Sequence, residues 1–196
     1  MYFDPKKPII SEDRFQIFDW ENFYKDAREP IPLDMPELQG LSMETHCFWG
    51  ANHAGDKTTR RSMAGILIFC NRAPIIWHSK QQNGVETSIF GSEFTAVKNV
   101  VELIADLRYK LGIFGIPIDG STDMFCDNEA VYKNASMPES QLRNKHHSIA
   151  YHMSRKFIAS GATLISKEDT ETKLADLFTK VMPIPRRELL LNKFTY

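Results

Sequence analysis

Residues 45–81 read THCFWGANHAGDKTTRRSMAGILIFCNRAPIIWHSKQ, and this stretch decides the fold class. It contains three short apolar runs, THCFW, MAGILIFC and PIIWHSK, which are rich in the β-branched and aromatic residues that strands favour. The turn-forming residues N-R-A-P join the second run to the third. We therefore predict a meander of three antiparallel strands.

The residues that follow predict helices that alternate with two further strands. Apolar residues at steps of three or four predict one face of a long helix ending near Gly112, namely Phe94, Val97, Val101, Ile104, Leu107 and Leu111. The later pattern predicts strands over 122–126 and 163–165, helices over 145–159 and 174–180, a brief helix after residue 128, and a last helix over 186–191 after Pro183 and Pro185. This order predicts an α/β domain with a mixed sheet.

The composition is that of an ordinary globular protein, with 196 residues, 42% hydrophobic, 25% charged and a formal net charge of -1. Nucleic-acid-binding proteins are usually basic overall, so only local basic patches remain for that role. Cys47, Cys70 and Cys126 lack C-x-x-C spacing and predict free thiols in a reducing compartment. No apolar stretch has the length of a membrane span, which predicts an intracellular protein, cytoplasmic or nuclear, without a membrane partner.

Residues 1–43 are predicted to form a proline-rich connector, because they contain half of the chain's 10 prolines. Residues 44–183 should form the domain, and residues 184–196 a helical tail. Large exposed rings are uncommon in linkers, so the aromatic residues of the connector predict either docking on the domain or a short helix. These residues are Phe15, Phe18, Trp20, Phe23 and Tyr24.

Three acidic residues lie where predicted strands end or predicted helices begin, which is where a sheet presents groups to a ligand. Glu93 is in the first turn of the long helix, Asp127 ends the fourth strand, and Asp176 is in a short helix. Each also has a structural interpretation: a carboxylate at a helix N-terminus, a turn aspartate and a solvated surface acid, respectively. Position alone does not choose between these interpretations.

Six short motifs follow one another between about residues 45 and 183. They are A-G-D-K-x-x-R-R-S-x-x-G (54–65), N-R-A-P-I-I-W-x-S-K (71–80), F-G-S-E-F (90–94), F-C-D-N (125–128), K-H-x-x-I-A-Y-H (145–152) and L-A-D-L-F-T-K (174–180). This ordered series resembles the ribonuclease H domain of copia-type retrotransposon polyproteins. The connector before it resembles the segment that follows the reverse transcriptase in those polyproteins.

The resemblance implies a ribonuclease H-like α/β fold, with a five-stranded mixed sheet of order 3-2-1-4-5 flanked by helices. It also implies an ancestral endonuclease that cuts the RNA strand of RNA/DNA hybrids. Two Mg²⁺ ions would be held by four carboxylates, because hard divalent cations prefer oxygen ligands. Three of the four catalytic, metal-binding positions correspond to Glu93, Asp127 and Asp176.

The first carboxylate position of the resembled site is lost in this chain. Gly50 and Asn52 stand where the family has two aspartates at the end of the first strand, and Asp56 is not expected to replace them. We therefore expect Mg²⁺ to bind weakly or not at all. Losing about 4 kcal/mol of transition-state stabilisation lowers a rate roughly a thousandfold, so activity should collapse.

Contacts to a nucleic acid are predicted for a set of polar and basic residues, with ordinary surface charge as the alternative. The set is Lys57, Arg60, Arg61, Lys80, Asn128 and Lys145. His146, His147 and His152 do not share the i, i+4 face of a helical zinc pair, so packing or surface roles are expected for them.

The leading hypothesis is a free-standing or truncated ribonuclease H domain with a damaged catalytic centre. Its ancestral partners would be an RNA/DNA hybrid and the reverse transcriptase domain of the polyprotein. Two alternatives remain open: a non-catalytic module that binds RNA/DNA hybrid or a protein, and a still-active metal-dependent ribonuclease H.

Overall fold

The computed structural model describes residues 15–142 and 145–193. Residues 1–14 of the predicted connector and residues 194–196 of the predicted tail lie outside the described residues. In the two described ranges, no helix has both the length and the apolar character that a bilayer crossing requires.

One five-stranded mixed sheet forms the centre of the structure. Its strands are β1 (Thr45–Asn52), β2 (Met63–Cys70), β3 (Ala73–Gln81), β4 (Thr122–Cys126) and β5 (Thr163–Lys167), in the order β3-β2-β1-β4-β5. The first three strands are antiparallel neighbours, and β4 and β5 continue the sheet in parallel with β1. This confirms the predicted meander, the mixed sheet and its strand order.

The helices follow the predicted order, with differences near the C-terminus. They are α1 (Glu21–Tyr24), α2 (Ile89–Ile113), α3 (Glu129–Ser136), α4 (Ser148–Ala159), α5 (Asp176–Thr179) and α6 (Ile184–Leu191). A short 3-10 turn, Lys145–His147, precedes α4. The prediction that Pro185 lies before the last helix was wrong: Pro185 lies in the first turn of α6, where the missing N–H of a proline costs nothing.

Helix α5 is also shorter than predicted, since it begins at Asp176 rather than at Leu174. The residues just before it form a tight turn, because the N–H groups of Asp176, Leu177 and Phe178 bond to the carbonyl groups three residues earlier, at 3.3, 3.2 and 3.0 Å. Lys173, with φ -61° and ψ 103°, is extended rather than helical.

The two faces of the sheet carry different layers. The main core lies between one face and α2, and alternate residues of β1, namely Cys47, Trp49 and Ala51, point into it. The opposite face of β1 and β2 packs against α5 and α6 in a smaller apolar cluster that contains Leu67, Phe69, Leu174 and Leu190. Strand alternation places Gly50 on this second face. The cysteines Cys47, Cys70 and Cys126 are free thiols, as predicted.

The described part of the connector docks on the domain and also contains the short helix α1, so both alternatives drawn from its aromatic residues occur. The ring of Trp20 is buried, and the Arg155 guanidinium lies 4.8 Å from its centroid. The Tyr24 hydroxyl lies 2.7 Å from Nδ1 of His152. Further along, the Glu29 carboxylate accepts two hydrogen bonds from the Arg108 guanidinium, at 2.5 and 2.9 Å.

Arg155 should be one of the residues on which stability depends most strongly outside the site. It is 2% exposed, stacks on connector aromatic rings, and donates to the backbone carbonyls of Asn134, Met137 and Pro138 after α3. A lysine lacks the planar fork that makes these bonds together, so Arg155→Lys should lower the free energy of unfolding by about 2 kcal/mol in urea titrations. Lys156→Arg, at the exposed neighbouring position, is the control; equal effects of the two changes would contradict this role for Arg155.

Candidate functional site

The carboxyl ends of the parallel strands β1, β4 and β5 meet at one edge of the sheet, and the candidate residues gather there. Asp127 directly follows β4, and Glu168 directly follows β5. Gly50 lies near the end of β1, and Glu93 is in the first turns of α2, which packs on β1. The fold therefore brings residues from four distant parts of the sequence to one place.

The position beside Gly50 is filled by Lys173. A Cβ atom at Gly50 would lie closer than 3.0 Å to both Cε and Nζ of Lys173. On the adjacent strand, a Cβ at Gly65 would be equally close to the backbone oxygen of Ala175 and to Thr179. Two neighbouring glycines thus allow the segment 173–179 to lie directly on the sheet. The space above the backbone of Gly50 is therefore occupied by the tip of the Lys173 side chain.

The ammonium group of Lys173 is paired with two of the three predicted site acids. Its Nζ lies 2.5 Å from Asp127 Oδ1 and 3.5 Å from Glu93 Oε1. The two carboxylate oxygens are therefore no farther apart than the sum of these distances. Lys173 is 1% exposed, so its ammonium group is closed off from bulk water.

Burial and nearby charges have opposite effects on the pKa values of Glu93 and Lys173. Burial raises the pKa of Glu93, and the nearby Lys173 partly reverses this rise. For Lys173, burial disfavours the charged form, but the carboxylates of Glu93 and Asp127 outweigh it, so the pKa of Lys173 lies above its ordinary value. Lys173 is therefore a protonated ammonium at neutral pH, and the centre of the cluster is a cation.

Asp176, the third predicted site acid, is buried next to this group but has other partners. Its Oδ1 lies 2.9 Å from Lys180 Nζ, and its Oδ2 accepts a hydrogen bond from Arg186 at 3.2 Å. Its negative charge still helps to raise the pKa of Lys173. The structure thus joins Glu93 and Asp127 through Lys173 and places Asp176 beside them with two cations of its own.

Asn52 and Asp56, the other polar residues near the end of β1, make structural contacts. The amide of Asn52 donates to the backbone oxygen of Thr179 at 3.2 Å, which holds the end of α5 on β1. Asp56 accepts hydrogen bonds from Thr59 and Gln81 in and beside its own loop. These bonds, first the one from the Thr59 hydroxyl, lower the pKa of Asp56 to about 2.

Sequence reasoning missed two members of the cluster, Lys173 and Glu168. Lys173 directly precedes the motif L-A-D-L-F-T-K, and Glu168 directly follows β5, but neither position carries a signal of burial in the sequence. Glu168 is 5% exposed, and burial raises its pKa to about 8 although the N–H of Leu174 and the charge of Lys173 oppose the rise. It is a further buried carboxyl group near the Lys173 ammonium.

The pKa of Glu168 predicts a pH dependence of stability. The folded protein binds this proton more tightly than the unfolded chain, whose ordinary value is 4.5. The contribution of Glu168 to the free energy of unfolding should therefore be complete below about pH 4.5 and be lost as the pH rises towards about 8. Between pH 5 and pH 8 the wild type should lose at least ~1.4 kcal/mol more than Glu168→Gln, measured by urea unfolding. Parallel pH profiles of the two proteins would contradict this prediction.

The residues predicted to contact a nucleic acid fall into two groups. Lys57, Arg60 and Arg61 are exposed on the loop between β1 and β2, and Lys80 is exposed near the end of β3, at the same end of the sheet as the cluster. Lys145 is exposed in the 3-10 turn before α4. Asn128 has a structural role, since its side-chain oxygen accepts hydrogen bonds from the N–H groups of Ala130 and Val131 and so caps α3.

His146, His147 and His152 were expected to have packing or surface roles, and the structure places them in such positions. His147 is buried 3.4 Å from the Glu86 carboxylate, His152 contacts Tyr24, and His146 is exposed.

A divalent cation does not fit the cluster in this arrangement. Within residues 15–142 and 145–193, no three His, Cys, Asp or Glu side chains are placed to hold a metal ion. Mg²⁺ requires an octahedron of oxygen ligands, whereas Glu93 and Asp127 already face the positive Nζ of Lys173. The carboxylate of Asp176 faces two other cations.

Comparison with known proteins finds relatives among transposon polyproteins. No family model matches the chain. The chain is 31% identical over 142 residues, 72% of its length, to the retrovirus-related Pol polyprotein from transposon RE1 of Arabidopsis thaliana. It is 30% identical over 142 residues, again 72% of its length, to the corresponding polyprotein from transposon RE2 of the same plant. The chain spans about a tenth of the length of these curated relatives.

Two solved structures with the same fold are ribonucleases H. The RNase H1 of the archaeon Halobacterium salinarum superposes with a TM-score of 0.53 and 11% identity over 69% of this chain and 94% of that chain. LC11-RNase H1 in complex with an RNA/DNA hybrid gives a TM-score of 0.54 and 11% identity over the same shares. At this identity the similarity shows the fold, including the five-stranded sheet and its order.

Proposed function

Since this chain is a homologue of retrovirus-related Pol polyproteins of transposons and has the ribonuclease H fold, we propose that it is a ribonuclease H-like domain of copia-type retroelement origin with an impaired hydrolytic site. The ancestral reaction is hydrolysis of the RNA strand of an RNA/DNA hybrid with two Mg²⁺ ions. The ancestral context is a polyprotein that also contains a reverse transcriptase domain.

One observation carries the proposal of impairment. Nζ of Lys173 lies 2.5 Å from Asp127 Oδ1, against the backbone of Gly50, where the resembled site has its first carboxylate. Hydrolysis of a phosphodiester needs a group that stabilises the negative charge developing on the phosphate and on the leaving oxygen. In this chain the charges of Asp127 and Glu93 are compensated by an ammonium group that is buried away from solvent.

A cleavage assay tests this proposal. The purified protein is incubated with a labelled RNA/DNA hybrid in Mg²⁺ and, separately, in Mn²⁺, beside a ribonuclease H of known activity. We expect RNA-strand cleavage no faster than that of the Asp127→Asn variant, and at least roughly a thousandfold below the active enzyme. Circular dichroism confirms that both proteins are folded. Metal-dependent cleavage that Asp127→Asn abolishes would show the site to be active and would overturn the proposal.

A second candidate function, non-catalytic binding of RNA/DNA hybrid, is favoured by the basic loop between β1 and β2. Lys57, Arg60 and Arg61 are exposed there, beside the edge of the sheet where the cluster lies. Basic side chains that contact phosphates bind a duplex by its backbone and shape, and the affinity then falls as salt displaces them. Binding of this kind needs none of the carboxylates.

Hybrid affinity in EDTA at two salt concentrations tests the second candidate. We expect tighter binding to an RNA/DNA hybrid than to double-stranded DNA of the same length, and weaker binding at higher salt. Replacing Lys57, Arg60 and Arg61 together by alanine should lower the salt slope by about 2 to 3. The matched control replaces the exposed lysines Lys110, Lys133 and Lys156. Equal affinity for both duplexes, or equal effects of the two triple variants, would exclude hybrid binding by this loop.

A further inference from the structure

We propose that the Lys173 ammonium is the resident cation of the Glu93 and Asp127 pair, attached to the chain in place of a divalent metal ion, and that this arrangement requires glycine at position 50. This inference rests on the proposed descent from a ribonuclease H and concerns how the altered site is held together. On this inference, glycine at position 50, in place of the first carboxylate, and the buried lysine at position 173 depend on each other.

The burial of Lys173 is the first support. A lysine is almost never fully buried unless its charge is paired, and Lys173 is 1% exposed. Its pairing is with two carboxylates at once, Asp127 at 2.5 Å and Glu93 at 3.5 Å. A divalent cation between the same acids would serve the same electrostatic purpose, because two facing carboxylates repel each other unless a positive charge lies between them.

The second support is that contacts of the neighbouring backbone hold Lys173 in place independently of its ion pairs. The next residue, Leu174, donates its N–H to the buried Glu168 carboxyl, and its side chain packs in the apolar cluster on this face of the sheet. The backbone oxygen of Lys173 accepts a hydrogen bond from the N–H of Asp176 at 3.3 Å. The backbone at Lys173 is therefore held on both sides.

The third support is steric. A Cβ at position 50 would lie closer than 3.0 Å to Cε and Nζ of Lys173, so any side chain there must displace the tip. The tip of a flexible side chain usually yields at little cost, but this tip is held by Asp127 and enclosed by protein. A side chain at position 50 and the ion pair of Lys173 with Asp127 therefore exclude each other.

A double-mutant cycle tests the steric coupling. We expect Gly50→Ala to lower the melting temperature by about 4–8 °C in the wild-type background and to have little effect in the Lys173→Ala background. Gly84→Ala is the control, because a Cβ at Gly84 meets no atom within 4 Å. If Gly50→Ala is as well tolerated as Gly84→Ala in the wild type, the required glycine, and with it the inference, is wrong.

A manganese titration tests the replacement of the metal and reads out stability rather than activity. We expect saturating Mn²⁺ to leave the melting temperature of the wild type unchanged. It should raise that of Lys173→Ala by about 5 °C or more, since a ligand that binds only the folded state stabilises it. This rise should disappear in Lys173→Ala combined with Asp127→Asn. A rise in the wild type that Asp127→Asn abolishes would overturn the inference.

The experiments separate this inference from the proposed function. RNA-strand cleavage by the wild type would overturn the proposed impairment, whereas the cycle and the titration decide the role of Lys173 whatever the cleavage result is. If Lys173→Ala does not fold, the comparison of Gly50→Ala with Gly84→Ala and the manganese titration of the wild type still give the answer.

Discussion

Replacing Lys173 by methionine is expected to lower the free energy of unfolding by about 3–5 kcal/mol, which is the usual cost of removing one partner of a buried ion pair. Methionine keeps most of the volume but not the charge, so the change leaves the buried carboxylate of Glu93 and the partly buried carboxylate of Asp127 without their cation. Urea titrations at pH 7 in the presence of EDTA measure the effect.

Lys167→Met is the matched control for this prediction. Lys167 also pairs with a carboxylate, Glu129 at 3.3 Å, but the side chain of Lys167 is 56% exposed. An exposed pair contributes little, so its loss should cost less than about 1 kcal/mol. If the two methionine variants lose the same amount of stability, Lys173 is not the counter-charge of a buried cluster.

The second large effect concerns restoration of activity. We expect Gly50→Asp combined with Asn52→Asp to leave the protein inactive on RNA/DNA hybrids, although these changes restore both aspartates of the resembled motif. The carboxylate placed at position 50 would meet the Lys173 tip and pair with it. Adding Lys173→Ala to the double variant should then raise metal-dependent cleavage by roughly a hundredfold to a thousandfold.

Cleavage rates of the double and triple variants in Mg²⁺ and Mn²⁺ measure this difference. The appropriate control is the triple variant with Asp127→Asn added, which should be inactive because it loses a carboxylate of the restored set. If the double variant cleaves as fast as the triple variant, Lys173 does not oppose the restored site.

The fold could be predicted from the sequence because its signals are local. The apolar runs in residues 45–81 and the periodic face of α2 each report the burial of neighbouring residues, and the prediction from them matches β1, β2, β3 and α2. The strand order came from the resemblance and is confirmed. The end of the chain was less predictable, because the segment that leads into α5 lies on the sheet beside Gly50 and Gly65, and those contacts join distant parts of the sequence.

The centre of the site could not be predicted for a related reason. A lysine that precedes a short amphipathic helix is typical of a solvated surface, and Lys173 is buried only because Gly50 and Gly65 let its segment lie on the sheet. Those glycines lie more than a hundred residues away in the sequence. The motifs identified Glu93, Asp127 and Asp176, but nothing in the sequence indicated that three basic side chains, Lys173, Lys180 and Arg186, pair with them.

The proposed exchange of a metal ion for an ammonium group has a general physical reason. A cluster of acids on a sheet edge is unstable without positive charge, and a bound metal supplies it only while metal is present. A tethered lysine supplies one charge permanently, which keeps the fold intact but removes the mobile, exposed cation that phosphodiester hydrolysis needs. Stability and catalysis thus make opposite demands on the group beside Gly50.

The most direct measurement is a crystal structure of the wild type grown in Mn²⁺, with anomalous diffraction data collected to locate the metal. We expect Lys173 Nζ within hydrogen-bonding distance of Asp127 and Glu93, and no anomalous peak between these carboxylates. A manganese peak between Glu93 and Asp127, with the Lys173 side chain turned away from Gly50, would contradict the central claim.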